Sequence, residues 1–240
     1  MRQRRVTGIE DKLAEFSDLI LQHATESSAD SSVQIPVDRY PRWYQRRSEQ
    51  FEIPAGFDRI YAEFGCGRGQ FINSVAKNDP DGLYIGIEGC KTIVYKAIKR
   101  TKAAELKNIF YIDQFINYSS TAFDKESFDG IFLNFSDPWP KERHADRRRT
   151  APAKALNYKR ILKPDGFAAL KTDNEALFDY SLKVFKESGY HIENSTRNLE
   201  AADPSYGADP AKNGLITQTE YEQKFRALGM PIYYFLARKR

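Results

Sequence analysis

Three tools for handling a nucleotide stand close together in the stretch 128–150, FDGIFLNFSDPWPKERHADRRRT. Asp137 is a carboxylate, Trp139 and Pro140 offer a flat apolar surface, and Lys141, Arg143, His144, Arg147, Arg148 and Arg149 are basic. A base within a polyanion calls for all three: an acceptor, a stacking surface and cations that displace counterions from phosphates. A charge run of this kind also reads as an ordinary solvated face, so both readings stand open at this point. Ile131, Phe132, Leu133 and Phe135 form a short β-favouring apolar run. Pro138 ends it, because proline has no backbone N–H and biases Asp137 toward extended geometry. Asp137 is therefore expected at the mouth of a strand.

A second constellation, Glu63-Phe64-Gly65-Cys66-Gly67-Arg68-Gly69, lies earlier in the chain. Glycines at Gly65, Gly67 and Gly69 let a strand-to-helix turn close tightly and bring backbone N–H groups against a ligand. Their spacing is G-x-G-x-G and not the G-x-G-x-x-G of dinucleotide sites. Glu63, just ahead of the glycines, repels a phosphate but attracts an ammonium or sulfonium, which favours S-adenosylmethionine over NAD. Glu88 is expected to end the second strand, where an acid can accept from both hydroxyls of a ribose. Asp113 is expected to end the third, within reach of an adenine amine. Each acid alone also reads as a solvated strand end; together, on one carboxyl edge, they describe a ligand site.

The elements that must position these groups follow from periodicity. Strands are predicted over 59–63, 83–88, 108–112, 129–135 and 167–172, and helices over 70–77, 91–104, 151–162 and 174–187, with Gly189 as a stop signal. Strands alternating with helices imply a parallel sheet covered on both faces. Segments 190–196 and 231–237 read as a final antiparallel pair. Apolar residues at Ile9, Leu13, Phe16, Ile20 and Leu21 predict an amphipathic helix over 9–23. Segment 24–32 reads as a mobile linker, 36–54 as a basic and aromatic stretch that either touches RNA or covers the domain, and 197–215 as a long polar loop. This divides the chain into a partly flexible basic extension, 1–55, and a catalytic domain, 56–240.

With 240 residues, 41% of them hydrophobic and 29% charged, the composition is that of a globular protein able to bury a sizeable core. The net charge of +4 is modest, and positive charge is concentrated near the N-terminus, around 91–102 and after Trp139. The two cysteines, Cys66 and Cys90, have no zinc-like spacing, so no metal is expected and a reducing compartment is the economical reading. Acids at Glu10, Asp11, Glu15 and Asp18 exclude a secretory or membrane-spanning N-terminus. The expected setting is the cytoplasm.

The motifs E-x-G-x-G-x-G-x-F at 63–71, IGIE at 85–88, LNFSDPWPKxRHxxRR at 133–148, KTDN at 171–174 and TEYExKFxxxGxPIY at 219–233 closely resemble the bacterial tRNA (guanine-N7)-methyltransferase family. The resemblance runs from about Arg59 to the C-terminus in family order. It implies a class I methyltransferase: an α/β, Rossmann-like doubly wound sheet, mostly parallel with an antiparallel C-terminal strand. It also implies S-adenosylmethionine as donor, leaving as S-adenosylhomocysteine, and guanine 46 of the tRNA variable loop as acceptor. Cofactor roles carry over to Glu63, Glu88, Asp113 and Asp137, and substrate contacts to Lys141, Asp173, Thr219, Glu220, Tyr221 and Glu222. The residues themselves add Gly65, Gly67 and Gly69 to the cofactor set and Arg143, His144, Arg147 and Arg148 to the substrate set, with Asp137 as the catalytic group. Thr219 and Glu222 also match a capping box, and the two roles can coexist. Rival readings are an amino-group methyltransferase, a tRNA-binding protein that has lost activity, and a dehydrogenase. Oligomeric state is left open.

Overall fold

Strands that are apolar on both sides need cover on both sides, and this chain provides it by crossing from strand to strand through helices. The computed structural model describes residues 6–22, 51–116, 122–199, 214 and 217–240; features predicted at Arg2, Arg4, Arg5, 24–32, most of 36–54 and most of 197–215 lie outside them. In order come α1 (Ile9–Ala14), a 3₁₀ turn (Ser17–Leu19), β1 (Arg59–Phe64), α2 (Gln70–Asn78), β2 (Gly82–Ile87), α3 (Lys91–Ala103) and β3 (Ile109–Ile112). Then follow β4 (Phe128–Asn134), a second 3₁₀ turn (Glu142–Arg147), α4 (Pro152–Ile161), β5 (Leu162–Thr172), α5 (Glu175–Glu187), β6 (Tyr190–Thr196), α6 (Glu220–Ala227) and β7 (Tyr233–Lys239).

The sheet order is β3-β2-β1-β4-β5-β7-β6. The first five strands are parallel, and β7 inserts between β5 and β6, antiparallel to both. The predicted α/β sheet, mostly parallel with an antiparallel C-terminal strand, is what the chain forms. Chain direction away from β1 reverses between β1 and β4, the switch point where open α/β sheets bind ligands beyond their carboxyl ends.

Alternation along each strand divides the core in two. On one face Tyr61, Tyr84, Tyr111 and Phe132 pack with Phe71, Ile72 and Val75 of α2 and Val94, Ala97 and Ile98 of α3. On the other, Ala62, Phe64, Ile85 and Ile131 pack with Ala155, Tyr158 and Ile161 of α4 and Phe178 and Phe185 of α5. Phe132 meets Phe71 edge-on at 5.1 Å and Phe167 at 5.5 Å, tying β4 to the start of α2, where the glycine loop ends.

Two predictions are corrected. The helix over 9–23 ends at Ala14; after the 3₁₀ turn Ile20 is extended and bridges Tyr111, and the Leu21 N–H donates to the Tyr111 carbonyl at 2.9 Å. An open edge of β3 competes for those backbone groups and wins over continued helix. Strand β5 begins at Leu162, earlier than the predicted Phe167, and its register with β4 shifts between Phe128 and Gly130. That irregular start, through Pro164, Asp165 and Gly166, hides it from a period-two pattern.

Below the glycine loop lies a buried polar network. Asn73 Nδ2 donates to the Gly69 carbonyl at 2.7 Å and to Tyr111 Oη at 2.8 Å, while Thr101 Oγ1 donates to Asn73 Oδ1 at 2.8 Å. Gly69 is left-handed at φ 73°, and a Cβ there would stand 2.8 Å from Ala97 Cβ, so only glycine fits between loop and α3. Replacing Asn73 with Ala removes the side-chain bonds that join Gly69, Tyr111 and Thr101, leaving Thr101 and Tyr111 only each other at 2.8 Å, and is expected to cost about 1–3 kcal/mol. The urea midpoint measures this; an unshifted midpoint would show that the network does not hold the loop.

Candidate active site

A cleft opens at the carboxyl edge beside β1, lined by the glycine loop, Gln70 and Phe71, by Asn134 and Phe135 from the end of β4, and by Thr219, Glu220 and Tyr221. Residues over 150 positions apart therefore line one cleft. Of the predicted groups, Glu63, Gly65, Gly67, Thr219, Glu220 and Tyr221 meet here. Gly69 forms the loop's far end, where it caps α2.

Glu63 is the most constrained of them. It is buried; Oε1 accepts from Asn134 Nδ2 at 2.9 Å, while Oε2 has no partner. Burial pushes its carboxyl up from the ordinary 4.5 to about 8, and the charge of Glu88 pushes the same way. The Asn134 bond, a backbone bond from Ile72 and the Lys171 ammonium oppose the rise without cancelling it. A buried acid with a bare oxygen fits a cationic ligand. The loop offers room for one, since nothing lies within 4 Å of the place a Cβ on Gly67 would take.

Glu88 and Asp113 directly follow β2 and β3 on the same edge. Glu88 Oε1 accepts from the Cys90 N–H at 2.9 Å, which orients the carboxylate and leaves Oε2 without a hydrogen bond among the described residues. Asp113 lies 3.7 Å from Lys91 Nζ, which is held at 2.6 Å by Glu10 of α1. Asp137 is exposed beyond β4, and neither it nor Asp173 has a hydrogen bond or ion pair among the described residues.

The basic segment divides. Lys141, Arg143 and Arg147 are exposed, and the Arg147 guanidinium stacks over Trp139 at 5.0 Å, with His144 edge-on to the same indole at 5.7 Å. Arg148 departs from the expected substrate role. It is buried, donating to the carbonyls of Pro138 and Trp139 at 3.2–3.3 Å, with its guanidinium 4.2 Å from the centroid of the Tyr180 ring. Two carbonyls freed by the proline-containing turn need a donor, and a fork of N–H groups meets that need.

Glu222 also departs from its expected substrate contact. It is buried, ion-paired to Lys171 at 2.9 Å and to Arg226 at 2.9 Å. The capping pattern is half realised: Thr219 Oγ1 accepts from the Glu222 N–H at 2.9 Å, but the glutamate side chain turns away to Lys171. The sequence reading has Phe135 only as a strand residue and Asn134 and Lys171 only within motifs, with no site role for any of them. Phe135 takes φ 46°, rare for an aromatic residue, and its ring lies near-parallel to Tyr221 at 6.1 Å and to Phe225 at 5.9 Å. A phenylalanine next to the strand-ending Ser136-Asp137-Pro138 gives no signal of such a backbone. Asn134 was visible as a polar residue closing an apolar strand.

The family model described as "Putative methyltransferase" matches residues 58–235. The tRNA (guanine-N(7)-)-methyltransferase of Bacillus subtilis strain 168 is 34% identical over 233 residues, spanning 97% of this chain and 96% of that protein. The protein of the same name from Listeria innocua is 36% identical over 202 residues, 82% of this chain and 90% of its own. Among solved structures, a SAM dependent methyltransferase from Aquifex aeolicus superposes with a TM-score of 0.52 at 13% identity, covering 78% of this chain and 85% of that one. At that identity the superposition speaks for the fold alone. No helix among the described residues is long and apolar enough to cross a membrane, and no group of three or more potential metal ligands occurs among them.

Because the folded value for Glu63 lies above its unfolded value, the stability it contributes is complete below about pH 4.5 and is lost as pH rises through about 8. Relative to a Glu63→Gln variant, the protein should lose stability across that window, with a slope approaching about 1.4 kcal/mol per pH unit. Paired urea titrations from pH 5 to pH 9 would read it. A flat difference would mean that the carboxyl is already ionised.

Proposed function

Because the chain belongs to the tRNA (guanine-N(7)-)-methyltransferase family, we propose that it transfers a methyl group from S-adenosylmethionine to N7 of a guanine in tRNA, guanine 46 of the variable loop. The observation that carries this reading is the cleft in which a glycine loop, a buried acid with one unpartnered oxygen and the Thr219-Glu220-Tyr221 segment meet. The sheet order and its switch point are those of class I methyltransferases, and the cofactor is S-adenosylmethionine. Residues 56–240 form the catalytic domain and 1–55 an N-terminal extension, at work in the cytoplasm where tRNA is found.

In this reading Glu63 Oε2 would take the ammonium of the donor's amino-acid end over the glycine loop. Glu88, oriented by Cys90, offers its remaining oxygen to the ribose, and Asp113 meets the adenine amine. When bound, S-adenosylmethionine supplies a sulfonium methyl and leaves as S-adenosylhomocysteine. Guanine N7 carries an in-plane lone pair and no proton, so no residue has to act as a general base. Orientation is the task left to the protein, and holding two reactants in line contributes on the order of 7–11 kcal/mol. The methylated base is cationic, and Asp137, unpaired at the exit of β4, stabilises the growing charge while accepting from the base edge. Asp173 lies after the neighbouring strand β5 and serves the same base. Lys141, Arg143, His144 and Arg147 face the phosphates, and the exposed Tyr221 ring covers the base.

Bulk tRNA lacking this modification, incubated with protein and labelled donor and then mapped for the modified base, tests the whole reading; a label on another atom or on no RNA overturns it. Glu88→Ala should raise the donor Kd by about 10- to 100-fold, the loss of hydrogen bonds to a charged group, with donor-free tRNA binding little changed. Asp137→Asn should lower kcat by about 10²–10³-fold with a smaller effect on tRNA affinity, and the wild-type rate should show no dependence on a general base, since N7 has no proton to give. Arg147→Glu should raise KM for tRNA and reduce the salt slope of binding by about 1. Arg148→Ala should instead lower the unfolding midpoint. Equal salt slopes in the Arg147 variant and wild type would assign that arginine to a solvated face.

A further inference from the structure

We propose that Lys171 is a positioning residue for methyl transfer, holding three walls of the cleft in register through one buried ammonium and one backbone carbonyl. The proposal rests on the methyltransferase reading above. Lys171 stands next to the end of β5, paired in register with Asn134 of β4, and its side chain is only 2% exposed. Its carbonyl accepts from the Phe135 N–H at 2.8 Å, continuing the ladder past β4 and fixing the residue that lines the cleft at positive φ. Its ammonium donates to Glu222 Oε2 at 2.9 Å and to the Thr217 carbonyl at 2.8 Å, and lies 5.9 Å from the centroid of the Phe71 ring. Phe71, Phe135 and Thr219 all line the cleft, and Thr219 is tied to Glu222 by its capping bond.

The pair is costly where it stands. Glu222 is 1% exposed, and a buried ion pair is often no more stabilising than two apolar side chains of the same volume. The neighbouring positions of β5, Ala168, Ala169 and Leu170, are buried apolar residues, so an apolar pair would suit the same environment. An ion pair adds direction: a short, oriented strut between β5 and the first turn of α6. Glu222 is held from its other side by Arg226 Nε and Nη2 at 3.0 and 2.9 Å, and Arg226 in turn donates to the Leu199 carbonyl. Thr217 to Glu222 is thereby fixed against the sheet, with Tyr221 on the solvent side of that turn and Thr219 facing the glycine loop. The Lys171 charge also favours the ionised form of Glu63, the acid assigned to the donor.

The test separates stability from alignment by comparing Lys171→Met with the double variant Lys171→Met/Glu222→Leu. Removing the lysine alone leaves a buried carboxylate held by Arg226 only and should lower the urea midpoint. The double variant removes the two buried charges and leaves Arg226, whose side chain is 24% exposed and which keeps the Leu199 carbonyl, so it should recover most of that midpoint. If Lys171 positions the cleft, kcat on undermethylated tRNA stays at least tenfold below wild type in the recovered double variant, since misalignment is felt at the reacting atoms. Recovery of kcat together with the midpoint, or a loss confined to KM for tRNA, would overturn the proposal. Glu222→Asp keeps both charges and shortens the strut by one methylene, so it answers the same question should the double variant fail to fold: a tenfold fall in kcat is expected, and an unchanged kcat overturns the positioning role. Calorimetric binding of S-adenosylmethionine to the wild type runs alongside. Absence of donor binding there would overturn the methyltransferase reading itself, a result distinct from a wild type that binds donor and a double variant with full kcat.

Discussion

A carboxyl group buried at the end of the central strand, with one oxygen bare, is the constraint on which the arrangement at the carboxyl edge depends. Burying Glu63 opposes its ionisation, and what the fold offers in return is partial: an amide from Asn134 across the switch point and a distant ammonium from Lys171. The remaining deficit has the shape of a cation. β1 must carry the acid to that depth, β4 must bring Asn134 beside it, and the glycines must turn the chain away before any side chain fills the space above Gly67. The free protein is thus left with a buried carboxyl whose ionisation is pushed up to about 8 and whose second oxygen has no hydrogen bond.

Much of this was legible in the sequence because it depends on local rules. Period-two and period-3.6 patterns place the strands and helices, and strand ends place Glu88, Asp113 and Asp137 on one edge. What could not be read depends on contacts between remote elements. Arg148 looks no different from Arg147, yet its burial is decided by carbonyls of Pro138 and Trp139 and by Tyr180 on α5. Glu222 has the spacing of a capping box, but its side chain answers to Lys171, which no helix rule connects to it. Lys171 enters the sequence reading only as the first residue of the KTDN motif, and only the insertion of β7 beside β5 and the return of α6 over the edge bury it. The failed helix extension after Ala14 belongs to the same class, because a free strand edge supplied a partner that the segment itself does not encode.

The basic segment shows how one turn serves two ends. Consecutive arginines at the end of a short 3₁₀ element point apart, so Arg147 lies on the Trp139 ring in solvent while Arg148, just past the element, holds the carbonyls of Pro138 and Trp139 itself. Trp139 takes φ 41°, a conformation that needs such support. The buried cation therefore sets the platform, and the exposed one works from it. Charge density in this region is not a count of arginines but of those left over once the loop has been pinned.

The bridge from Ile20 to Tyr111 has a consequence for assembly of the fold. An uncovered parallel strand at the rim of a sheet is a template for wrong partners, other chains included. At the opposite rim β6 is blunted by a register shift between Ile192 and Asn194 and by polar residues such as His191 and Glu193. β3 is short and apolar and has no such defence of its own, so residues 20 and 21 supply one. They precede β3 by some 90 positions, and during synthesis they leave the ribosome first. The guard is present before the edge it must cover has been made.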